Sequence, residues 1–313
     1  TPGYGGCVVQ YDPDASEPVI LTPTVNTRPI IETSDGLLLL GIKNTIYKIE
    51  SGTFSEFITD LPFRCGSLVL DGDENIYASL VNDSVSILRI NPDGTNTTWF
   101  RKDMKTFPEA LVYDSRNDWM ILMTYEFGNR TLDLWRLPID NPVDYSKITS
   151  IENATWGDFT VDRSGNIYVL ERGENVLYKI PDGSNIPQVL KTNVVEHAYL
   201  VYPHIAYSTD ADAIIMTRND DLQAWPVDGG SSYILGVTAS GIDHEGLFEN
   251  PEGDLVGTHA GQIFKLHYDS TTTPTEPTTP YEPPESFPAV IVAIGAGAVV
   301  AVVLIVYCVK SRK

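Results

Sequence analysis

Residues 158–180 read DFTVDRSGNIYVLERGENVLYKI, and this stretch decides the fold. Apolar Phe159 and Val161 alternate with polar neighbours up to Asp162, and a second apolar run follows from Ile167 to Leu170. Val176, Tyr178 and Ile180 then fall on one face of a third run. Alternation with a period of two marks β-strands, because successive side chains point to opposite faces. Ser164-Gly165-Asn166 between the first two runs supplies the residues that tight hairpins need. The stretch therefore reads as three short antiparallel strands joined by turns.

Working outward, the same pattern recurs in residues 30–50, 67–90, 110–137, 205–227 and 246–268. The turn positions Glu32, Asp71, Asp114, Asp162, Thr209 and Asn250 are separated by 39, 43, 48, 47 and 41 residues. A period of roughly 40–50 residues with three or four short strands per unit is the signature of propeller blades. Further short strands between the repeats, such as Gln188-Val189-Leu190, are expected at the outer edge of each blade. Residues 7–21 resemble the second half of a repeat without a first half, so the N-terminus is expected to complete the last blade and close the ring. The fold class is all-β: a six-bladed β-propeller over residues 1–269, with an incomplete seventh blade as the alternative.

Hairpins of the type Asp71-Gly72-Asp73-Glu74-Asn75-Ile76-Tyr77, followed by strands ending in Tyr178-Lys179-Ile180 or Leu88-Arg89-Ile90, resemble the repeats of six-bladed NHL and SMP-30/gluconolactonase-like propellers. The resemblance covers about residues 7–269 and implies the architecture. It also implies a divalent cation held by a Glu that opens an inner strand and precedes Gly, which Glu245-Gly246 matches. The family pattern continues with Pro, where Leu247 stands, and with an Asn and an Asp from other blades, where His204 takes one place.

Downstream of residue 269 the composition changes. Residues 270–287 are a Pro/Thr-rich stalk with too few apolar residues for a core; they suit an extended or O-glycosylated spacer. Ala289 to Val309 is uncharged over 21 residues, and Lys310-Ser311-Arg312-Lys313 follows directly. Such a run predicts a single C-terminal transmembrane helix over 288–309, and the basic tail 310–313 predicts that it faces the cytoplasm. The expected placement is single-pass type I in the plasma membrane, with Thr1 as the terminus left by signal removal. Ala293, Gly297 and Ala301 recur every four residues, as in helices that pair, so a helix-mediated homodimer is a candidate. Cys308, at the inner boundary, is a candidate for lipidation.

An external address fits other features. The net charge is −21 and the C-terminal tail is basic, so the rest of the chain repels nucleic acid and anionic lipid. Asn82, Asn96, Asn129 and Asn153 each open an N-glycosylation signal. Cys7 and Cys65 are the only cysteines outside the apolar run, and they form a candidate disulfide.

The position five residues before each turn marker holds Thr27, Gly66, Glu109, Gly157, His204 and Glu245, with Asp158 beside Gly157. Glu109, Asp158, His204 and Glu245 thus converge on one rim as a candidate ligand or metal site. Carboxylates suit a hard cation, and calcium is the candidate. The chain lacks the G-x-S-x-G, H-E-x-x-H and phosphate-loop motifs. These features point to a cell-surface recognition or adhesion propeller that binds an extracellular protein, glycan or small molecule. The alternatives are a calcium-dependent lactonase- or esterase-like ectoenzyme and a small-molecule binder with an apolar mouth near Trp119, Trp156 or Trp225.

Overall fold

The computed structural model describes residues 8–10, 19–22, 29–50, 53–82, 84–103, 106–194, 204–218, 221–237, 244–259, 262–266, 290–291 and 304–305. Five four-stranded antiparallel sheets follow one another along the chain, each with its strands in sequence order. Their first strands are Ile30–Glu32, Arg64–Leu70, Phe107–Asp114, Gly157–Val161 and Ile205–Ser208. We number these sheets as blades one to five. The sixth repeat forms a three-stranded sheet, His244–Glu249, Leu255–His259 and Gln262–Leu266. Among the described residues there are therefore five complete blades and a three-stranded sixth sheet, where the repeats read as six blades.

The first strand of each sheet neighbours the first strands of the sheets on either side, and His244–Glu249 lies against Ile30–Glu32. These strands thus line a common centre. The N-terminal residues Val8–Gln10 pair with Val19–Thr22 as a separate ladder close to Gln262–Leu266, and among the described residues they do not join the sixth sheet. Ring closure by that strand is thus not seen, although the N-terminal segment does approach the last sheet.

Alternation fills the spaces between sheets. Along blade two, Ile76, Ala78 and Leu80 face Ile31, Leu39 and Ile46 of blade one. The intervening Tyr77 faces Leu111, Met120 and Leu122 of blade three. Both faces of a middle strand are buried, which is why these strands read as nearly continuous apolar runs. Similar clusters join blades three and four, four and five, and five and six. Ile30, Leu40, Ile49 and Val256 fill the last seam, between the first and sixth sheets.

The recurring turns have a common chemical cause. Asp162 accepts hydrogen bonds from the Ser164 and Asn166 amides, the Asn166 side chain and the Tyr168 hydroxyl. Asp71 does the same with Asp73, Asn75 and Tyr77. Asn250 accepts the Glu252 and Asp254 amides. The acidic turn at Asp71 is thus a hairpin brace, as its sequence suggested. Gly165 (φ 80°) takes the left-handed position in one brace, and Glu74 (φ 60°) takes it in the other without a glycine.

At the end of the ring where the inner strands finish, neighbouring turns are joined. The Ser34 amide donates to Glu74 Oε1 at 3.0 Å. Arg116 reaches Ser164 and Asp182, and Arg163 lies 3.2 Å from Asp212. Thr209 donates to Glu249 through its amide at 2.5 Å and its hydroxyl at 2.6 Å. Asn250 Nδ2 donates to Glu32 Oε2 at 2.8 Å, joining the last sheet to the first across 218 residues. Exposed pairs are individually weak, so these contacts matter for register more than for energy.

Cys65 is free and buried, against the expected disulfide. Its thiol sits in the seam between blades one and two, close to where a Cβ on Gly41 would fall. Cys7, Cys308, the stalk 270–287 and the tail 310–313 lie outside the described residues. Within the apolar run 288–309 only Val290–Ile291 and Leu304–Ile305 are described, as a two-residue antiparallel ladder. Among the described residues no helix is long and apolar enough to cross a membrane.

Candidate functional site

The six inner strands enclose a central channel of about 970 Å³. At the end where the turns are cross-linked, Asp71, Asp162, Thr209 and Asn250 line it. At the opposite end, where the inner strands begin, the backbone departs from regular pairing. The ladder slips between Cys65 and Ser67, between Pro108 and Ala110, and between His244 and Gly246. The residues left over are Gly66, Glu109 and Glu245, three of the positions aligned from the sequence. A bulge re-aims the extra side chain, and bulges gather at barrel rims and beside active sites.

Two of the four candidate residues meet at this mouth. His204 Nδ1 lies 2.8 Å from Asp158 Oδ2. That oxygen also accepts the Ile205 amide at 3.1 Å, and Oδ1 accepts the Phe159 amide at 2.9 Å. Asp158 is therefore the acceptor on every side, so Nδ1 is the donor in this pair, and in the neutral ring that leaves Nε2 as the acceptor. The His204 amide donates to Thr217 Oγ1 at 2.7 Å, which fixes the backbone beneath the ring. Both side chains are half-buried and line the channel.

Glu109 lines the same mouth, half-buried at its bulge. Glu245 occupies the bulge of the sixth sheet, and its side chain lies outside the described residues. Among the described residues no three His, Cys, Asp or Glu side chains are close enough together to hold a metal ion. Both oxygens of Asp158 are already engaged with amide and imidazole donors. The described donors thus form no calcium cage by themselves, and Glu245, the remaining candidate ligand, has its side chain outside the described residues.

Other mouth residues, Trp156 apart, escaped the sequence reading. Arg64 and Arg172 line the channel, and they carry positive charge in a strongly acidic chain. Phe107, Tyr125, Phe127 and Trp156 form a cluster with ring centroids 4.9 to 5.3 Å apart. Trp156 is 41% exposed and Phe127 52% exposed, although both are large and apolar. Trp119 and Trp225 do not share this position: Arg136 covers Trp119 and Lys191 lies over Trp225.

A buried carboxylate holds the loops that carry Trp156 and Arg172. Glu171 is 1% exposed and accepts the Thr155 amide at 2.7 Å, the Thr155 hydroxyl at 3.0 Å and the Gly173 amide at 2.8 Å on Oε1. Its Oε2 accepts the Glu174 amide at 2.6 Å. The Arg172 amide donates to the Trp156 carbonyl at 3.0 Å. The only sequence sign of this clamp is an acid where the strand Ile167–Glu171 should present an apolar residue.

With this geometry in place, comparison with known proteins adds the following. No family model matches the chain, and no curated protein matches it. Many solved structures do. A streptogramin B lyase structure is 15% identical with a TM-score of 0.59, covering 85% of this chain and 94% of its own. A gluconolactonase from Xanthomonas campestris is 13% identical with a TM-score of 0.60, covering 76% and 84%. A calcium-binding regucalcin from Agrobacterium tumefaciens is 12% identical with a TM-score of 0.57, covering 78% and 90%. The chain is a β-propeller with neighbours of the NHL and SMP-30 type. At these identities the likeness is one of fold.

The expectation of a recognition or adhesion module is corrected here. The neighbours just named are two enzymes and a calcium-binding propeller. The chain's own distinctive chemistry lies inside a channel mouth, at Asp158 and His204, and not on a broad outer face.

Proposed function

We propose that the channel mouth binds a small ester or lactone and hydrolyses it, with His204 as general base. The observation that carries this reading is the Asp158–His204 contact at 2.8 Å, which orients the imidazole with Nε2 as its acceptor atom. An imidazole oriented by a carboxylate is a recurring solution for proton transfer. In the proposed reaction Nε2 takes a proton from water as its oxygen bonds to the carbonyl carbon. The tetrahedral oxyanion then collapses, the carbon–oxygen bond of the leaving group breaks, and the proton passes from Nε2 to that oxygen. The products are a carboxylic acid and an alcohol, or a hydroxy acid from a lactone. Arg64 and Arg172 line the mouth and supply positive charge where the oxyanion develops.

The lyase and gluconolactonase among the neighbours support a channel-mouth chemistry on this fold, without fixing the substrate. The likeness to regucalcin, a calcium-binding protein, supports calcium as a second reading, with Glu245 as the added ligand. The test is turnover of an ester and lactone panel by the full chain, with calcium or with chelator. The dyad reading expects activity that survives chelation and is lost in His204→Gln. Activity abolished by chelator and untouched by His204→Gln would replace it with the calcium reading.

We further propose that the propeller stands outside the cell on the stalk 270–287. The support is the uncharged run 289–309 and the basic residues after it. Six blades, with residues 7–21 completing the sixth, belong to the same proposal. So do pairing through Ala293, Gly297 and Ala301, lipid on Cys308 and glycans on the sequons. Asn96, Asn129 and Asn153 are exposed, and Asn82 is half-buried. Protease added to intact cells should remove the propeller and leave the C-terminal segment with the membrane.

A further inference from the structure

We infer that the aromatic cluster at the channel mouth is a subsite for an aromatic ring, so that the preferred substrates are aryl or arylalkyl esters and lactones and not polyhydroxylated sugar lactones. This deepens the hydrolase reading and rests on it for the reaction, though not for binding. The cluster occupies the seam between blades three and four. Phe107 and Phe127 meet edge to face at 5.3 Å, Tyr125 and Phe127 at 4.9 Å, and Phe127 and Trp156 at 5.2 Å. Tyr125 is buried and anchors the group, while Phe127 and Trp156 leave much of their surface open.

Large apolar side chains exposed together at the edge of a cavity mark a binding surface. Here the cavity is the one that holds Asp158 and His204, and Phe107, Phe127 and Trp156 are among its walls. Trp156 directly precedes Gly157 and Asp158 in the chain, and all three line the same cavity as His204. The chemistry of this wall selects between ligands. Phe107, Pro108, Ala110, Phe127 and Trp156 present no side-chain polar atom except the indole N–H. Hydroxyls directed at these five side chains would be left without partners, which is costly once they are desolvated. An added aromatic ring extends the edge-to-face pattern already present, at about 0.5–1.5 kcal/mol per contact beyond area burial.

The surface is also held ready. Glu171 binds four donors on the loops that carry Trp156 and Arg172, so the indole's backbone is fixed before any ligand arrives. A preformed wall spares a ligand the cost of ordering it.

The experiment is calorimetric binding of acetanilide, an amide analogue of phenyl acetate, to the full chain. Wild type should bind it with measurable heat, and so should Ile186→Ala, an exposed apolar residue that does not line the cavity. Trp156→Ala and Phe127→Ala should each bind it about three- to tenfold more weakly, and N-methylacetamide, which lacks the ring, should give no heat. Both positions are exposed, so these variants should melt within a few degrees of wild type. Gluconate binding more tightly than acetanilide, or acetanilide binding unchanged in both aromatic variants, would overturn the subsite. Binding of acetanilide without turnover of phenyl acetate would leave the subsite standing and sink the hydrolase reading alone.

Discussion

Asp158 and His204 stand 46 residues apart on adjacent blades, and Asp158 Oδ2 holds both the His204 ring and the Ile205 amide. The first inner-strand residues of blade four thus position the ring that opens blade five. If this pair performs proton transfer, Asp158→Asn should lower kcat by roughly 100-fold or more, since an amide no longer fixes the imidazole tautomer. KM should move much less. Circular dichroism should stay unchanged, because the amide has the shape of the carboxylate and the change is confined to the channel mouth. A kcat within twofold of wild type, on a substrate that wild type turns over, would count against the dyad.

How much of this was legible beforehand follows from the range of the interactions. The hairpins could be read because Asp71, Asp162 and their partners lie within six residues of each other. Buried strands could be read because both faces of Ile167–Glu171 are covered, leaving an apolar run. Counting turn markers singled out Glu109, Asp158 and His204, which line one channel because the blades share a register. The pairing of Asp158 with His204 was not legible, because it depends on the angle between two sheets. Trp156 was one of three tryptophans offered for an apolar mouth, but Phe107 and Phe127 carry no sequence sign of their exposure beside it, because they meet it from a neighbouring blade. Cys65 was misread because cysteine number suggests a pairing, whereas the seam that encloses this thiol is built from distant strands.

Cys65 offers a pH test of that seam. Burial pushes its thiol up to about 12, from 9.0. The neutral thiol is the form the fold accepts, and the unfolded chain loses its proton first. This contribution to stability is therefore intact below about pH 9 and falls as pH rises toward 12, with a slope approaching about 1.4 kcal/mol per pH unit. Urea titrations at pH 8, 9 and 10 should show a steeper decline for wild type than for Cys65→Ala. Parallel lines would mean that the thiol is exposed. A thiol reagent at pH 8 should likewise leave Cys65 unmodified until the chain is unfolded.

The turn braces predict where stability resides. Asp162→Ala removes the acceptor for two amides, the Asn166 side chain and the Tyr168 hydroxyl, and the hydroxyl is buried. The cost should be about 2–4 kcal/mol in urea unfolding. Tyr168→Phe in the Asp162→Ala background should recover part of it, because the orphaned hydroxyl is then gone. Asp71→Ala should behave in the same way if the repeats are physically equivalent. A loss below about 0.5 kcal/mol at either site would show that water replaces the brace.

Glu171 separates positioning from stability. Its carboxylate is 1% exposed and accepts four hydrogen bonds at the base of the Trp156 and Arg172 loops. Glutamine keeps the shape, but its NH2 group must face at least one donor, so Glu171→Gln should loosen those loops. Hydrogen bonds to a charged acceptor are worth about 1.5–3 kcal/mol each, so the fold should weaken as well. The distinguishing measurement is therefore a comparison with Asp162→Ala, whose brace lies at the far end of the channel. For matched losses of stability, Glu171→Gln should raise KM for an aryl ester severalfold through Trp156 and lower kcat through Arg172, and Asp162→Ala should leave KM where it was. Hydrogen exchange should quicken at the Gly173 and Glu174 amides in the first variant and not in the second. Equal effects of the two variants on KM would mean that the clamp supports the fold without shaping the mouth.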